Sequence, residues 1–179
     1  EKALVLDPRT GSAFMARIEF LVRHGRREEA APVFDRAAPA LRREASQFYL
    51  DWGAKRQEAG DLTAAATKFD RALAADPANV PARIRRGLAL AGLGRTTEAE
   101  ADLLEALKLE PGNTAALKGL GALSLNMGDL PRARYYLTEA RDRSPGDPDV
   151  PGLFDRLRKM EGQKPEPAGG KGAGAPPSP

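Results

Sequence analysis

The stretch that decides the fold is GLALAGLGRTTEAEADLLEALKLEPGN, residues 87–113. Its apolar residues recur every three or four positions, which is the spacing of one face of an α-helix. We expect a first helix over about 80–93 and a second over about 97–109. Gly94 follows the first helix, where a left-handed cap favours glycine, and Pro111 stops the second because proline cannot continue the helical hydrogen bonds. The stretch therefore predicts two antiparallel helices.

Polar residues at the expected helix starts support this interpretation. Asn79 and Asn113 precede first helices, and Asp61 and Asp129 precede second helices. Their side chains can accept hydrogen bonds from backbone N–H groups that have no partner inside the helix. Thr97 is followed three positions later by a glutamate, which is the spacing of a capping box.

The helix pair is repeated along the chain with a period of 34 residues. Chance does not explain several independent columns with one period, so the sequence predicts tandem repeats. A less regular copy lies upstream, with Gly25, Ala30 and Phe34 in matching places. The regular columns are Gly53, Gly87 and Gly121; Gly60, Gly94 and Gly128; Ala65, Ala99 and Ala133; Ala72, Ala106 and Ala140; and Pro77, Pro111 and Pro145.

These columns resemble the tetratricopeptide repeat (TPR) family, whose signature combines a large residue, leucine-glycine, a tyrosine-type residue, alanine, phenylalanine, alanine and proline. In the second unit, Tyr49 is at the place of the large residue and Trp52-Gly53 at the place of leucine-glycine. The last four places are occupied by Ala65, Phe69, Ala72 and Pro77. The resemblance covers about residues 1–146. It implies an all-α fold, a right-handed α-solenoid of stacked antiparallel helix hairpins, in which neighbours complete each other's core. Tyr49 and Trp52 are expected in that core.

The repeat pattern also predicts the organisation of the chain. Residues 1–10 are expected to end a truncated preceding repeat, so that more repeats or another domain lie upstream. Four TPR-like repeats are expected at 11–45, 46–79, 80–113 and 114–146, followed by a C-terminal capping helix at 147–161. Residues 162–179 are nearly all glycine, proline and alanine, a composition that predicts disorder.

Composition argues against catalysis. The sequence has no cysteine and one histidine, so neither a thiolate site nor a zinc site is expected. His24, near a helix end, is interpreted as a cation-compatible helix terminus. No serine has a nucleophile motif, and Gly92-Leu93-Gly94 is interpreted as a repeat turn, not a phosphate loop. We expect a non-enzyme with no catalytic, metal-binding or cofactor-binding residues, and no cofactor.

Charge and hydropathy restrict the partners. The net charge is +3, acidic and basic residues are interleaved, and no basic stripe with aromatics is present. Nucleic-acid binding is therefore not expected. No apolar run approaches the roughly 20 residues that span a bilayer. We expect a soluble protein, cytoplasmic or periplasmic, and the arginine and alanine bias is typical of GC-rich bacteria.

The resemblance implies a non-catalytic scaffold that binds a partner peptide or protein in a concave groove formed by the first helices. Some members of the family grip a peptide's terminal carboxylate with lysine, asparagine and arginine. Arg85 and Lys118 resemble parts of that clamp, but Glu19 and Ala54 stand where asparagines belong, so that adaptor role is not expected. The candidate groove residues are Met15, Glu19, Gln47, Leu50, Asp51, Ala54, Arg85, Leu88, Lys118, Ala122 and Asn126.

Two alternatives stay open at this point. The chain could be the C-terminal accessory region of a larger bacterial enzyme, similar to sulfatases or glycosyltransferases that carry such repeats. It could also self-associate through the half-repeat at its N-terminus.

Overall fold

The structure is a computed structural model that describes residues 8–36 and 41–162. Over these ranges the chain forms helices and no strand, which confirms the all-α prediction. The half-repeat expected at 1–10 and the disordered tail expected at 162–179 lie largely outside the described residues, and the repeat boundaries stay predictions. The helices are α1 (Pro8–Arg23), α2 (Arg27–Arg36), α3 (Arg42–Glu58), α4 (Leu62–Ala75), α5 (Val80–Gly92), α6 (Thr96–Leu109), α7 (Thr114–Met127), α8 (Leu130–Arg143) and α9 (Val150–Met160).

Glycine turns join the two helices of each pair. Gly25, Gly60, Gly94 and Gly128 have φ angles of 74°, 78°, 77° and 74°. These angles lie in the left-handed region, where a side chain beyond glycine is disfavoured. The left-handed cap predicted for Gly94 is therefore confirmed, and the helices on either side of it end within one residue of their expected bounds.

Side-chain caps begin α4, α5, α7 and α8, as expected. The Asp61 carboxylate accepts a hydrogen bond from the Ala64 backbone N–H at 3.0 Å, and that of Asp129 does the same for Arg132 at 3.1 Å. The Asn113 side-chain oxygen accepts from the Ala116 N–H at 3.1 Å. Each bond satisfies a donor that the first helical turn leaves without a partner.

The capping box predicted at Thr97 is wrong. Helix α6 begins one residue earlier, at Thr96, and its N-cap residue is Arg95, whose side chain makes no capping bond. The Arg95 guanidinium instead forms a two-pronged ion pair with Glu98, at 2.6 and 2.7 Å. The acidic partner of this pair lies in the first turn, where a negative charge interacts favourably with the helix dipole.

The chain divides into two compact units between Ala89 and Leu90. In the first unit the core centres on α3 and α4, where the Phe69 ring is fully buried against Gly53. Tyr49 and Trp52 are each only 4% exposed, which confirms that both are core residues. The glycine column thus lets α3 approach α4 so closely that a ring fills the space of a missing side chain.

In the second unit α7, α8 and α9 share a core. Leu137 on α8 is fully buried and lies against Gly121 of α7, as Phe69 does against Gly53. Leu157 on α9 packs in one cluster with Leu125 and Leu137. Helix α9 therefore covers apolar surface of the hairpin before it, which one hairpin cannot bury alone.

Candidate functional site

The candidate groove residues of the first unit differ in their exposure. Leu50 is only 8% exposed and packs in the core cluster of α3 and α4, so its side chain offers little surface to a ligand. The others remain at the surface in full or in part. Glu19, Gln47, Asp51, Arg85 and Leu88 are exposed, whereas Met15 and Ala54 are half-buried.

Local contacts order the acidic side chains of this surface. The Gln47 amide donates to the Asp51 carboxylate at 2.7 Å, one turn along α3. Glu19 lies 3.7 Å from the Arg23 guanidinium on α1, and both side chains are more than half exposed. Such exposed pairs contribute little to stability, so both carboxylates remain accessible to an incoming cationic group.

Lys118, in the second unit, is engaged by carboxylates of its own chain. Its ammonium lies 2.7 Å from an oxygen of Asp147 and 2.7 Å from one of Asp149, in the segment that leads into α9. Partial burial acts to lower the pKa of Lys118, but the bonds to the two carboxylates outweigh it and raise the pKa above its ordinary value. The structure thus uses Lys118 to link α7 with the start of α9.

Asn126 is also contacted by the C-terminal part of the chain. The Arg156 guanidinium on α9 donates to the Asn126 side-chain oxygen at 2.6 Å. Ala122, which lies between Lys118 and Asn126 on α7, is half-buried. Arg156 was not among the candidate residues. It follows Ala122 by 34 residues, so extending the period through α9 would have found it.

The link between Lys118 and Asp147 predicts a pH dependence. The bond from Lys118, and after it the backbone bond from Asp149, lowers the pKa of the Asp147 carboxyl. A carboxylate whose pKa is depressed by folding stabilises the folded state above its unfolded pKa of about 3.9, and this contribution is lost as the pH falls through the folded value. We expect hydrogen-exchange protection of the Leu157 amide to fall below about pH 4.

The Lys118→Met variant is the comparison for this measurement. It removes the ammonium but keeps a long chain, so the loss of protection on acidification should be smaller than in the unaltered protein. Some pH dependence should remain, because Asp147 also accepts a bond from the Asp149 backbone N–H at 2.9 Å. Equal losses in both proteins would contradict the role given to Lys118.

Within 8–36 and 41–162, no three His, Asp or Glu side chains group closely enough to hold a metal ion. In the same ranges, none of the helices combines the length and apolar character that a membrane crossing requires.

Repeated helix hairpins with small residues at their contacts define a class, the helical tandem-repeat proteins. The sequence model of the tetratricopeptide repeat matches residues 50–113 and 84–148, which together span more than half of the chain. The chain therefore belongs to the TPR family, as its resemblance to the family's signature predicted.

Known relatives match over part of this chain. The TPR repeat-containing thioredoxin TTL4 of Arabidopsis thaliana is 36% identical over 78 residues, which are 44% of this chain and 11% of that protein. The match thus spans about a tenth of that relative's length.

Solved structures match over more of the chain. The first TPR of Spaghetti (RPAP3), bound to the HSP90 peptide SRMEEVD, has a TM-score of 0.62 and 22% identity, and the match covers 67% of this chain and 93% of that one. An O-GlcNAc transferase mutant from Thermobaculum terrenum has a TM-score of 0.61 and 25% identity over 64% of this chain and 22% of its own. These likenesses show that the fold is that of TPR domains.

Proposed function

We propose that this chain is a non-catalytic scaffold whose first-helix surfaces bind a protein or peptide partner. The observation that carries the proposal is that the first helices contain two groups of residues, one buried in the core and one exposed at the surface. Their signature residues, such as Tyr49 and Trp52, are buried, whereas Glu19, Asp51 and Arg85 on the same class of helix are exposed. The exposed residues have no part in the core and are available to a partner.

The chemistry of this surface favours a particular kind of peptide. The first unit presents the Glu19 and Asp51 carboxylates together with the exposed apolar side chain of Leu88. A partner segment with basic and apolar residues would complement it, with Arg85 setting its direction through an acidic residue. The RPAP3 structure supports peptide binding by this fold, since it holds an HSP90 peptide.

The same geometry argues against a clamp for a terminal carboxylate in the second unit. Lys118 already bonds Asp147 and Asp149, which occupy two of its three donors. A peptide carboxylate would have to compete with two carboxylates that are tethered in place, and tethered groups have a high effective concentration. We therefore propose no ligand for Lys118.

A charge-reversal experiment tests the proposal. Partners cross-linked to the full chain are identified by mass spectrometry, and the affinity of each purified partner is measured by calorimetry. The triple variant Glu19→Lys, Asp51→Lys, Arg85→Glu should weaken binding at least about tenfold. The control Arg43→Glu with Glu44→Lys reverses exposed charges elsewhere on α3 and should leave the affinity unchanged. Equal affinity of the triple variant would refute the assigned surface.

We keep a second candidate, an accessory region of a larger enzyme. It is supported by the likeness to the Thermobaculum O-GlcNAc transferase, which matches over 22% of its own length. The sequence of the intact gene tests it. A catalytic glycosyltransferase or sulfatase motif upstream would support this role, and further TPR units without a catalytic domain would oppose it.

Self-association through residues 1–10 also stays a prediction. Sedimentation at several protein concentrations tests it, and a monomer throughout would exclude it.

A further inference from the structure

A pocket of about 270 Å³ opens in the first unit, and none of the candidate groove residues lines it. It lies between the turn at Gly25 and the C-terminal half of α3. Its lining includes Trp52 and the cations Arg27, Lys55 and Arg56. Small residues leave the space open, because Gly25 has no side chain and Ala59, at the end of α3, has only a methyl group.

In the other repeats, one position of this pocket's lining carries an uncharged, buried side chain. Arg56 stands in the column of Leu21, Leu90 and Ser124, which are all buried. The family pattern has a tyrosine-type residue in this column. A half-buried arginine there departs from both the family and the neighbouring repeats.

The other two cations show the same departure. Lys55 corresponds to the exposed Phe20 in the preceding repeat and to Ala89 and Leu123 in the following ones, which are both buried. Arg27 corresponds to Leu62, Thr96 and Leu130, which carry no charge and are half-buried, as Arg27 is. Arg56 and Lys55 therefore carry positive charge at positions that are buried in the following repeats, and Arg27 carries it at a half-buried position.

Little in the structure neutralises these charges. Glu28 is the acidic member of the lining and lies 3.8 Å from Arg56, but the two side chains are 72% and 43% exposed. An exposed pair at this distance is weak. Among the residues that the structure describes, no carboxylate pairs with Arg27 or Lys55. The Lys68 ammonium adds a further positive charge, 3.6 Å from the centre of the Trp52 ring.

We propose that this pocket binds a phosphate group. Three cations against one carboxylate give the lining a net charge of +2, which matches the roughly −1.5 to −2 of a phosphate monoester at pH 7. Two guanidinium groups supply the planar donors that suit phosphate oxygens. The volume is below the roughly 300–1,000 Å³ of pockets that enclose whole drug-sized ligands. It therefore favours one phosphate group over an entire nucleotide.

Trp52 provides the readout, because it is the only tryptophan of the chain and lines the pocket. The full chain is titrated at low salt with a phosphoserine peptide, with the same peptide carrying glutamate instead, and with inorganic phosphate. Trp52 emission and the NMR shifts of its indole N–H and of the Gly25 amide are followed. We expect saturable changes with the phosphorylated probes and weaker binding of the glutamate peptide. A phosphopeptide that binds more tightly than inorganic phosphate would identify a modified protein partner, and equal affinities would identify free phosphate.

Matched variants separate the pocket from general charge attraction. Arg27→Ala and Lys55→Ala should each weaken phosphate binding about tenfold or more, as expected for the loss of one charged hydrogen bond. Arg43→Ala removes an exposed cation roughly 18 Å along α3 from Lys55 and should change little. Circular dichroism establishes that each variant is folded. The proposal is overturned if no phosphorylated probe binds, if the glutamate peptide binds equally well, or if Arg43→Ala has the same effect as Lys55→Ala.

Discussion

Replacing Phe69 with alanine should lower the free energy of unfolding by about 3–5 kcal/mol. The Phe69 ring is fully buried at the centre of the α3 and α4 hairpin. Its loss removes apolar contacts and leaves a cavity beside Gly53, which has no side chain to fill it. Small domains are stable by only about 5–15 kcal/mol, so this change should take a large part of the total. Urea denaturation followed by circular dichroism gives the measurement.

Phe20→Ala is the matched control for this change. The Phe20 ring is 53% exposed and lies against the His24 ring, tilted by 35°, at a centroid distance of 4.1 Å. The same side-chain atoms are removed, but they bury little apolar surface in the folded protein, and no interior cavity forms. We expect a cost of less than about 1 kcal/mol, since surface substitutions rarely exceed that. Similar losses at Phe20 and Phe69 would mean that the hairpin core is not where the structure places it.

The Gly53→Val variant should be destabilised by about 3 kcal/mol, the upper range for overpacking. A Cβ atom at Gly53 would lie 2.6 Å from Cδ1 and 3.0 Å from Cζ of the Phe69 ring. The ring is rigid and enclosed, so it cannot move aside as a flexible chain would. Valine is a better helix former than glycine, but by under about 1 kcal/mol, which does not offset the clash. Thermal unfolding measures the difference.

Gly152→Val separates the clash from helix propensity. Gly152 lies inside α9, is exposed, and has no atom within 4 Å of a Cβ placed there. The same substitution should therefore be neutral or slightly stabilising at this position. The double variant Gly53→Val with Phe69→Leu should recover part of the loss, because leucine has no ring beside residue 53. If the double variant is no more stable than Gly53→Val, the assigned cause is wrong.

The fold could be predicted because its determinants are local in sequence. Gly94, Asn113 and Asp129 act within a few residues of their own positions, so spacing alone predicted their turns and caps. The exception at Thr97 has a local cause as well. The Arg95 and Glu98 side chains pair around the start of α6, and helix propensity alone does not show which of two adjacent threonines begins the helix.

The functional surface was harder to predict because its residues depend on distant parts of the chain. Lys118 bonds Asp147, which is 29 positions away, and only the path of the segment before α9 brings them together. Leu50 fell in a groove column yet packs in the core. The cations of the phosphate pocket did leave a signal, since Arg56 interrupts a column of buried residues. That signal becomes interpretable only once the structure shows an open pocket beside it.

The near-identical turns at Gly25, Gly60, Gly94 and Gly128 have a consequence for how such a chain can change over generations. Because each hairpin closes with the same backbone geometry, a copying error that duplicates one period in the gene inserts a complete hairpin with compatible ends. Lineages can thus lengthen or shorten the chain by whole hairpins without inventing a new turn. Variation in the number of hairpins among descendants of one ancestor is the natural outcome.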